Sequence, residues 1–293
     1  MRILQLDTGK EMRGGQWQVL RLTEGLAIAG IECTILARAE GELFSKARLH
    51  GRRVAPISLA RVAMLARSHD IIHAHDARAH TLAAIARFAP LIVSRRVAFP
   101  IGSRWKYGRA HEILAVSHFV KRVLTDGGVP NGKIRVVYDG VPLMEEAVGT
   151  AILVPPNAAD PMKGGKLVRE AAKLAGVDLR VATSLERDVL NAGMFLYITQ
   201  SEGLGSGALL AMAAGVPVIA SNVGGLPEII QHDVNGLLVE NNAAEIAKAI
   251  RELAADPDRA RRLGQAARQT VMERFAVHRM VAGTLEAYRQ VFI

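Results

Sequence analysis

The chain has 293 residues, half of them hydrophobic, a length that favours two domains with a core each. No apolar run is long enough to span a bilayer, and the start, MRILQLD, predicts a strand and not a signal peptide, so we expect a cytoplasmic protein. The single cysteine, Cys33, excludes an internal disulfide. The net charge of +9 is uneven: residues 1–140 carry 22 Lys or Arg against 11 Asp or Glu, which indicates either an anionic partner or a solvated basic surface.

Strand and helix patterns alternate along the first half of the chain. Strands are predicted at Arg2–Leu6, Ile31–Ala37, Arg52–Ile57, Ile71–Ala74, Leu91–Ser94, Glu112–Val116 and Lys133–Val137. Helices are predicted at Trp17–Gly30, about Ser58–Ser68, and His118–Gly127, the last with Ser117 as its N-cap. A glycine pair, Gly14–Gly15, stands between the first strand and the first helix, where a tight turn and a ligand-binding loop would both use glycine.

The fourth strand and its end carry a polar run, D-I-I-H-A-H-D over residues 70–76. Alternation places His73 and His75 on one face, with His75 at the carboxyl end of the strand, where ligand sites gather. With Asp76 and His80 nearby, a zinc site is one hypothesis. The ordinary alternative is that one histidine is half-buried and the other exposed.

A basic and aromatic stretch follows the fifth strand. Its members are Arg95, Arg96, Arg104, Lys106 and Arg109 with Phe99, Trp105 and Tyr107. We interpret it as a loop suited to an anionic membrane surface or a phosphorylated acceptor. The same mixture would suit single-stranded nucleic acid, but no nucleic-acid-binding motif accompanies it, so we predict no nucleic-acid partner.

The second half repeats the alternation after a linker at Pro142–Thr150. Strands are predicted at Ala151–Val154, Asp178–Thr183, Met194–Thr199, Val216–Ala220 and Val234–Val239, and helices at Lys166–Ala175, Ser184–Asn191, Gly207–Ala214, Ala243–Ala254, Pro257–Phe275 and Val277–Phe292. Residues 256–258 spell the Asp-x-Asp of metal-using transferases, but Asp and Pro are usual at a helix start, so we predict no metal site there.

The most informative stretch is SEGLGSGALLAMAAGVPVIASNVGG, residues 201–225. It places a glycine loop between a buried strand and a small-residue helix, at the carboxyl end of that strand. Glycine permits close approach of the backbone to a ligand, and the amides at the start of the next helix attract an anion such as a diphosphate. The pattern alone fits both an anion site and a plain packed turn.

The sequence of this stretch resembles the signature of retaining glycosyltransferases of the GT-B fold, the "glycosyl transferases group 1" type, which use nucleotide-diphosphate sugars. The family segment runs approximately S-E-G-F-G-x-x-x-L-E-A-M-A-x-G-x-P-V-I-A and then G-G-x-x-E. The matching residues are Ser201, Glu202, Gly203, Gly205, Leu209, Ala211, Met212, Ala213, Gly215, Pro217, Gly224, Gly225 and Glu228. Residues 70–75 also resemble the family's D-V-V-H-x-H, and residues 160–164 its D-P-x-K-G. The resemblance covers nearly the whole chain.

The resemblance implies an α/β protein of the GT-B type, with two Rossmann-like domains whose parallel sheets face each other across a cleft. Residues 1–145 would bind the acceptor, residues 146–275 the nucleotide-sugar, and residues 276–293 would form a helix that crosses back to the first domain. The implied reaction is transfer of a hexose or heptose with retention of configuration, without a metal or other cofactor. The acceptor would be a hydroxyl of a cell-surface glycan or lipid-linked molecule, as in lipopolysaccharide.

The resemblance also implies the site residues. His75 would lie beside the transferred sugar, Glu202 would hold sugar hydroxyls, and Lys163 would meet the donor diphosphate. The other implied donor-binding residues are Gly14, Gly15, Gly203, Leu204, Gly205, Ser206, Gly224, Gly225 and Glu228. As a hypothesis, Arg95 or Arg96 positions a charged acceptor, with the basic first domain against the inner face of the membrane.

Two positions depart from the family pattern. The family's second glutamate, which binds the nucleotide ribose, falls on Leu210, and an arginine that would serve the diphosphate falls on Ala158. Losing two charge-assisted contacts would cost roughly 1.5–3 kcal/mol each in donor binding. The alternative hypothesis is therefore a degraded relative that binds a glycan or a partner transferase.

Overall fold

The computed structural model describes residues 1–86, 88–156 and 161–292 and divides the chain into two compact units. The first unit comprises Met1–Gly140 and Val277–Ile293, and the second Val141–Ala276. Each contains a parallel sheet with helices between its strands, which confirms the predicted α/β class. The first unit carries 24 Lys or Arg against 12 Asp or Glu, and the second 13 against 16. Within the described ranges, no helix is long and apolar enough to cross a membrane.

The first unit is built on a seven-stranded sheet in the order β3-β2-β1-β4-β5-β6-β7. Its strands are β1 (Arg2–Leu6), β2 (Glu32–Ala37), β3 (Arg53–Pro56), β4 (Ile71–Ala74), β5 (Leu91–Arg95), β6 (Glu112–Ala115) and β7 (Ile134–Val136). All neighbouring pairs are parallel, so the carboxyl ends of the strands share one edge of the sheet. We call this the His75 edge; its polar side chains include Asp7, His75, Arg96 and Asp139.

In the part of the chain that the structure describes, six α-helices connect these strands. They are α1 (Gly14–Ile28), α2 (Glu42–Leu49), α3 (Leu59–Ala66), α4 (Ala77–Ala86), α5 (Arg104–Arg109) and α6 (His118–Asp126). The predicted N-cap of α6 is confirmed, because the Ser117 hydroxyl accepts a hydrogen bond from the Val120 amide at 3.1 Å. The prediction of a basic loop over residues 95–109 is wrong for its second part, since Arg104–Arg109 is helical.

The second unit is built on a five-stranded parallel sheet in the order β12-β11-β10-β8-β9. Its strands are β8 (Ala151–Val154), β9 (Arg180–Val181), β10 (Ala192–Tyr197), β11 (Val218–Ser221) and β12 (Leu237–Val239). The helices are α7 (Gly165–Ala175), α8 (Leu185–Asp188), α9 (Ser206–Ala213), α10 (Leu226–Ile229), α11 (Ala243–Ala255) and α12 (Pro257–Thr270). The strands predicted at Asp178–Thr183 and Val234–Val239 are shorter than expected. The carboxyl end of β10 leads into the Glu202 edge, defined by Lys163, Tyr197, Glu202 and Gly224.

The last helix, α13 (Val277–Gln290), belongs to the first unit and packs against α1. A glycine at position 25 makes this packing possible, because a Cβ there would lie 2.4 Å from Cγ2 of Val281. Met280 and Tyr288 join a buried cluster with residues of the sheet. Tyr288 is fully buried, and its hydroxyl reaches the polar groups of β1 and β4.

Candidate active site

The centre of the His75 edge is a histidine whose two ring nitrogens are both occupied by protein groups. Arg96 donates to Nδ1 of His75 at 3.1 Å, and Nε2 of His75 lies 2.6 Å from the side-chain oxygen of Gln5. Because a guanidinium can only donate, Nδ1 must accept and Nε2 must carry the proton. The arrangement therefore fixes one neutral tautomer of His75.

The neighbouring His73 is held in the same way. Tyr288 Oη lies 2.6 Å from Nδ1 of His73 and Ser94 Oγ lies 2.8 Å from Nε2, while Gln5 donates to the same tyrosine hydroxyl at 3.3 Å. The two imidazole rings are 4.1 Å apart between centroids. Following the donors from Gln5 leaves the Tyr288 hydroxyl to donate to His73, whose Nε2–H then donates to Ser94. Every polar group in this chain of bonds is satisfied by a neutral histidine.

Burial controls the charge of both rings. Burial lowers the pKa of His75 well below its usual value, and the neighbouring His73 and Arg96 lower it further. Burial also lowers the pKa of His73 well below its usual value, and Arg96 adds to that effect. Arg96 is itself paired with Asp139 at 2.8 Å, with side-chain exposures of 12% and 6%. At neutral pH the edge thus presents neutral imidazoles beside an internally compensated ion pair.

These contacts settle two predictions about the histidines. They share one face, as alternation predicted, but the expectation that one would be half-buried and the other exposed is wrong: His73 is 0% and His75 6% exposed. His80 instead bonds to the Lys106 carbonyl oxygen, and Asp76 caps α4 by accepting from the Arg78 and Ala79 amides. Among the described residues, no three His, Cys, Asp or Glu side chains are grouped as metal ligands.

The loop after β1 is organised by Asp7. Its carboxyl group accepts from the Gly9 amide at 2.8 Å and from the Gln16 side chain at 3.0 Å. Burial, and then the nearby Asp76, raises the pKa of Asp7 to about 6. Gly14 and Gly15 form the first turn of α1, and a Cβ on Gly15 would meet no atom within 4 Å. The packing of the protein therefore does not require glycine at position 15.

Arg95 and Arg96 have different surroundings, although sequence reasoning treated them alike. Arg96 is committed to Asp139 and His75, whereas Arg95 bonds through its guanidinium to the Phe99 carbonyl oxygen. Lys106 donates to the Ala77 carbonyl oxygen at 3.1 Å, and its pKa is lowered by burial and by Arg95. Arg95 and Lys106 thus form a pair of neighbouring cations whose observed hydrogen bonds go to carbonyl groups.

At the Glu202 edge, a carboxylate is held by three donors. Lys163 Nζ and the Tyr197 hydroxyl donate to Oε2 of Glu202 at 3.1 and 2.7 Å, and the Gly203 amide donates to Oε1 at 3.0 Å. The turn that carries Lys163 is tied to the end of β10, because the Met162 carbonyl oxygen accepts from Thr199 and Gln200. Lys163 and Glu202 are therefore brought together, although 39 positions separate them.

Close backbone contact explains the glycines around this carboxylate. A Cβ on Gly224, at φ +61°, would lie 2.1 Å from the Glu202 carbonyl oxygen, and one on Gly225 would lie 2.1 Å from that of Gly203. The amide of Gly225, one of the implied donor-binding residues, donates to the Glu202 carbonyl oxygen at 3.1 Å. The glycine pair therefore packs against the backbone of Glu202 and Gly203 and holds this loop in place.

The amides predicted to bind an anion lie next to this loop. Helix α9 starts at Ser206 after Gly205, whose φ is +109° and which has no side chain that could cap the helix. Leu204 is only 2% exposed, so its side chain belongs to the core and its backbone alone can meet a ligand. Glu228 lies in the first turn of α10 and is half-buried. Leu210 on α9 is 6% exposed, and Ala158 lies outside the described residues.

Sequence reasoning missed five residues that hold these groups: Gln5, Ser94, Asp139, Tyr197 and Tyr288. Asp139 and Tyr288 act across 43 and 215 positions of sequence, through Arg96 and His73 respectively. Tyr197 is closer, at the end of the strand that precedes Glu202. A polar aromatic residue at the carboxyl end of an otherwise apolar strand was the available signal.

Comparison with known proteins begins with two family models. "Glycosyltransferase Family 4" matches residues 12–145, and "Glycosyl transferases group 1" matches residues 181–270. Among curated proteins, the chain is 41% identical over 113 residues to alpha-maltose-1-phosphate synthase of Mycolicibacterium smegmatis, a match that covers 36% of this chain and 29% of that protein. It is 51% identical over 71 residues to a GDP-mannose-dependent alpha-(1-6)-phosphatidylinositol monomannoside mannosyltransferase of Mycobacterium tuberculosis, covering 24% and 18%. The matched segments thus span less than a third of either relative.

Solved structures are similar over nearly the whole chain. Anabaena HepE in complex with UDP has a TM-score of 0.88 at 17% identity, covering 99% of this chain and 100% of that one. The lipopolysaccharide outer core galactosyltransferase WaaB, in its apo form, has a TM-score of 0.72 at 16% identity, covering 99% of both chains. At these identities the similarity is one of fold.

Proposed function

Because the chain belongs to the group 1 glycosyltransferases and has the GT-B fold, we propose that it transfers a sugar from a nucleotide-diphosphate sugar to a hydroxyl group. The observation that carries this proposal is the Lys163–Glu202 pair at an amide-rich turn. A lysine and the amides at a helix start suit a diphosphate, and a carboxylate beside them suits sugar hydroxyls.

The proposed chemistry uses the residues of the Glu202 edge. Lys163 and the first amides of α9 stabilise the charge that develops on the leaving diphosphate, without need of a metal. Glu202 accepts hydrogen bonds from sugar hydroxyls as the sugar gains oxocarbenium character, and the configuration is retained. A hexose or heptose is the proposed sugar. His75 contacts it as a fixed neutral ring, because both of its nitrogens are already bonded within the first unit.

The proposed acceptor is negatively charged. Arg95 and Lys106 are neighbouring cations at the carboxyl ends of the first sheet, and the charge of Arg95 disfavours that of Lys106 until an anion binds. Arg96, held by Asp139, contributes to His75 rather than to the acceptor. A lipid-linked or cell-surface glycan that bears phosphate fits this pair. Support comes from two similar proteins, whose names specify a lipopolysaccharide core and a phosphatidylinositol monomannoside.

Such an acceptor would place the first unit against an anionic membrane surface at the inner face. Phe99 and Trp105 are 57% and 46% exposed, and the unit carries twice as many basic as acidic residues. Exposed aromatic side chains among cations favour binding at a lipid interface.

The test is donor turnover in the presence of membrane glycolipid extracts, with the anomeric configuration of the product read by NMR. We expect nucleoside diphosphate release that depends on the extract, and a product with the configuration of the donor. No turnover of any donor with any extract, or a product of inverted configuration, would contradict the proposal.

A second candidate is a degraded relative that binds a glycan or a partner transferase. The specific observation in its favour is Leu210, a buried apolar side chain where the resembling family has a ribose-binding glutamate. Calorimetry with a panel of nucleotides and nucleotide-sugars separates the two candidates, because only the transferase binds one of them.

A further inference from the structure

The Glu202 carboxylate has two donors on the same oxygen, and they differ in mobility. Lys163 reaches Oε2 from a 3₁₀ turn through a flexible four-carbon chain, at 3.1 Å. The Tyr197 hydroxyl reaches the same atom at 2.7 Å from the last residue of β10, on a rigid ring. Lys163 can therefore move from Glu202 to another partner more easily than the Tyr197 hydroxyl can.

The ring of Tyr197 is fixed by its neighbours. A Cβ on Gly207, in the first turn of α9, would lie 3.0 Å from Cε2 of Tyr197 and 3.4 Å from Cδ2 of Leu185. The Phe195 ring lies 5.9 Å away, between centroids. The glycine at position 207 thus makes room for an aromatic ring, and the packing aims the hydroxyl at Glu202.

The hydroxyl keeps its proton. Removal from water, and then the Glu202 charge, raises the pKa of Tyr197 well above its usual value. The group is therefore a donor to the carboxylate throughout the neutral range. Lys163, by contrast, is contested once a diphosphate arrives, because the phosphate and the Glu202 carboxylate then compete for the same ammonium group.

We propose that Tyr197 is a positioning residue that holds the Glu202 carboxylate while Lys163 exchanges from Glu202 to the diphosphate of the donor. This inference rests on the proposed function. With Tyr197 and the Gly203 amide in place, Oε2 and Oε1 each keep one donor after Lys163 has left. Without the hydroxyl, Lys163 would be the remaining observed donor to Oε2, and the diphosphate would have to compete with Glu202 for it.

The test compares diphosphates with monophosphates. UDP, GDP and ADP, with the matching monophosphates UMP, GMP and AMP, are titrated into the wild type and the variants Y197F, E202Q and Y197F/E202Q by calorimetry. We expect Y197F to weaken diphosphate binding about tenfold, the size expected for a charge-assisted hydrogen bond, and to leave monophosphate binding unchanged. In the E202Q background the tyrosine substitution should have little effect, because the neutral amide no longer retains Lys163. Y138F, in the first unit, is the matched control for loss of a tyrosine hydroxyl.

Four outcomes would overturn the inference. Equal diphosphate affinity of Y197F and the wild type removes the role of the hydroxyl. Equal weakening of monophosphates and diphosphates, or the same loss in the E202Q background, assigns Tyr197 a merely structural role. If the wild type binds none of the diphosphates, the proposed function fails and the inference falls with it, whereas wild-type binding with an unaffected Y197F refutes the inference alone.

Discussion

The polar side chains of the His75 edge and of the Glu202 edge are bonded in different ways. At the His75 edge, neutral imidazoles are held by hydrogen bonds to Gln5, Ser94 and Tyr288, and the Arg96–Asp139 ion pair lies within the first unit. At the Glu202 edge, a charged carboxylate is paired with a flexible lysine and backed by glycines. The two histidines of the first edge are fully hydrogen-bonded without a ligand, whereas at the second edge Lys163 is a cation that a ligand can take.

Because of this difference, we expect substitutions at one edge to change the stability of the fold and substitutions at the other to change ligand binding. Substitutions and pH changes at the His75 edge should act first on folding, because its groups bond to one another. Changes at the Glu202 side chain and at Lys163 should act first on donor binding, whereas changes at the glycines behind them should act on folding. The following predictions test this division, beginning with the largest effect.

Acidification should unfold the first unit selectively. Burial lowers the pKa values of His73 and His75 well below 6.5 and that of His80 to about 4, and raises that of Asp7 to about 6. Below pH 6.5 the unfolded chain binds three histidine protons that the folded unit does not, and below pH 6 the folded unit binds one at Asp7. The net difference of about two protons lowers the free energy of unfolding by roughly 2.7 kcal/mol per pH unit between pH 6 and 5.

Denaturant titrations followed by tryptophan fluorescence measure this effect, because both tryptophans, Trp17 and Trp105, lie in the first unit. The variant H80Q removes one of the three histidines and should reduce the slope to roughly 1.4 kcal/mol per pH unit. A free energy of unfolding that does not change between pH 6 and 5 would show that the buried histidines are not held neutral.

Gly224→Ala should destabilise the second unit by about 3 kcal/mol or more. The added methyl group would meet the Glu202 carbonyl oxygen at 2.1 Å, and the positive φ adds strain of about 1 kcal/mol. Gly176→Ala is the matched control: it has a similar φ of +69°, and its Cβ would meet nothing within 4 Å, so strain alone should cost about 1 kcal/mol. Scanning calorimetry compares the two, and equal losses would refute the packing argument.

Glu202→Ala should lower kcat/KM by at least about a hundredfold, because the substrate loses charged hydrogen bonds that strengthen in the transition state. Circular dichroism should show an intact fold, since the side chain is 16% exposed and lies outside the hydrophobic core of the second unit. Glu170→Ala, on the exposed face of α7, is the control and should behave as the wild type. Unchanged turnover of Glu202→Ala would remove Glu202 from the site.

Gly15→Ala should give the smallest change in stability, with the opposite sign to Gly224→Ala. Alanine is the better helix former by about 1 kcal/mol, and its methyl group meets no protein atom at this position. We expect a gain of about 0.5–1 kcal/mol in the free energy of unfolding and a loss of about tenfold in donor turnover. Wild-type turnover would show that no ligand approaches the Gly14–Gly15 turn.

The sequence predicted the strands and both candidate edges because those signals are local. Alternation located β4 and placed His73 and His75 on one face, and glycine loops marked the turn after β10. Arg104–Arg109 was assigned to a loop because a six-residue helix that contains a glycine has little periodicity. Short helices such as α2 were missed for the same reason.

The hydrogen-bond partners could not be predicted, because they depend on tertiary packing. Nothing near Arg96 in sequence indicates that Asp139 will pair with it, or that His75 will be its second partner. The sequence does not distinguish the two adjacent arginines. In the structure, Arg95 and not Arg96 lies close enough to Lys106 to lower the pKa of that lysine. The burial of His73 and His75 likewise depends on how the sheet and helices pack together, and it could not be predicted from local sequence.

The most direct test of the central claim is calorimetric titration of UDP, GDP and ADP into the wild type, K163A and K166A. Lys166 is exposed and lies three positions after Lys163, so it controls for loss of a positive charge. We predict that at least one diphosphate binds the wild type and K166A alike, and binds K163A at least tenfold more weakly. Absence of binding by all three nucleotides, or equal binding by K163A and the wild type, would contradict the account.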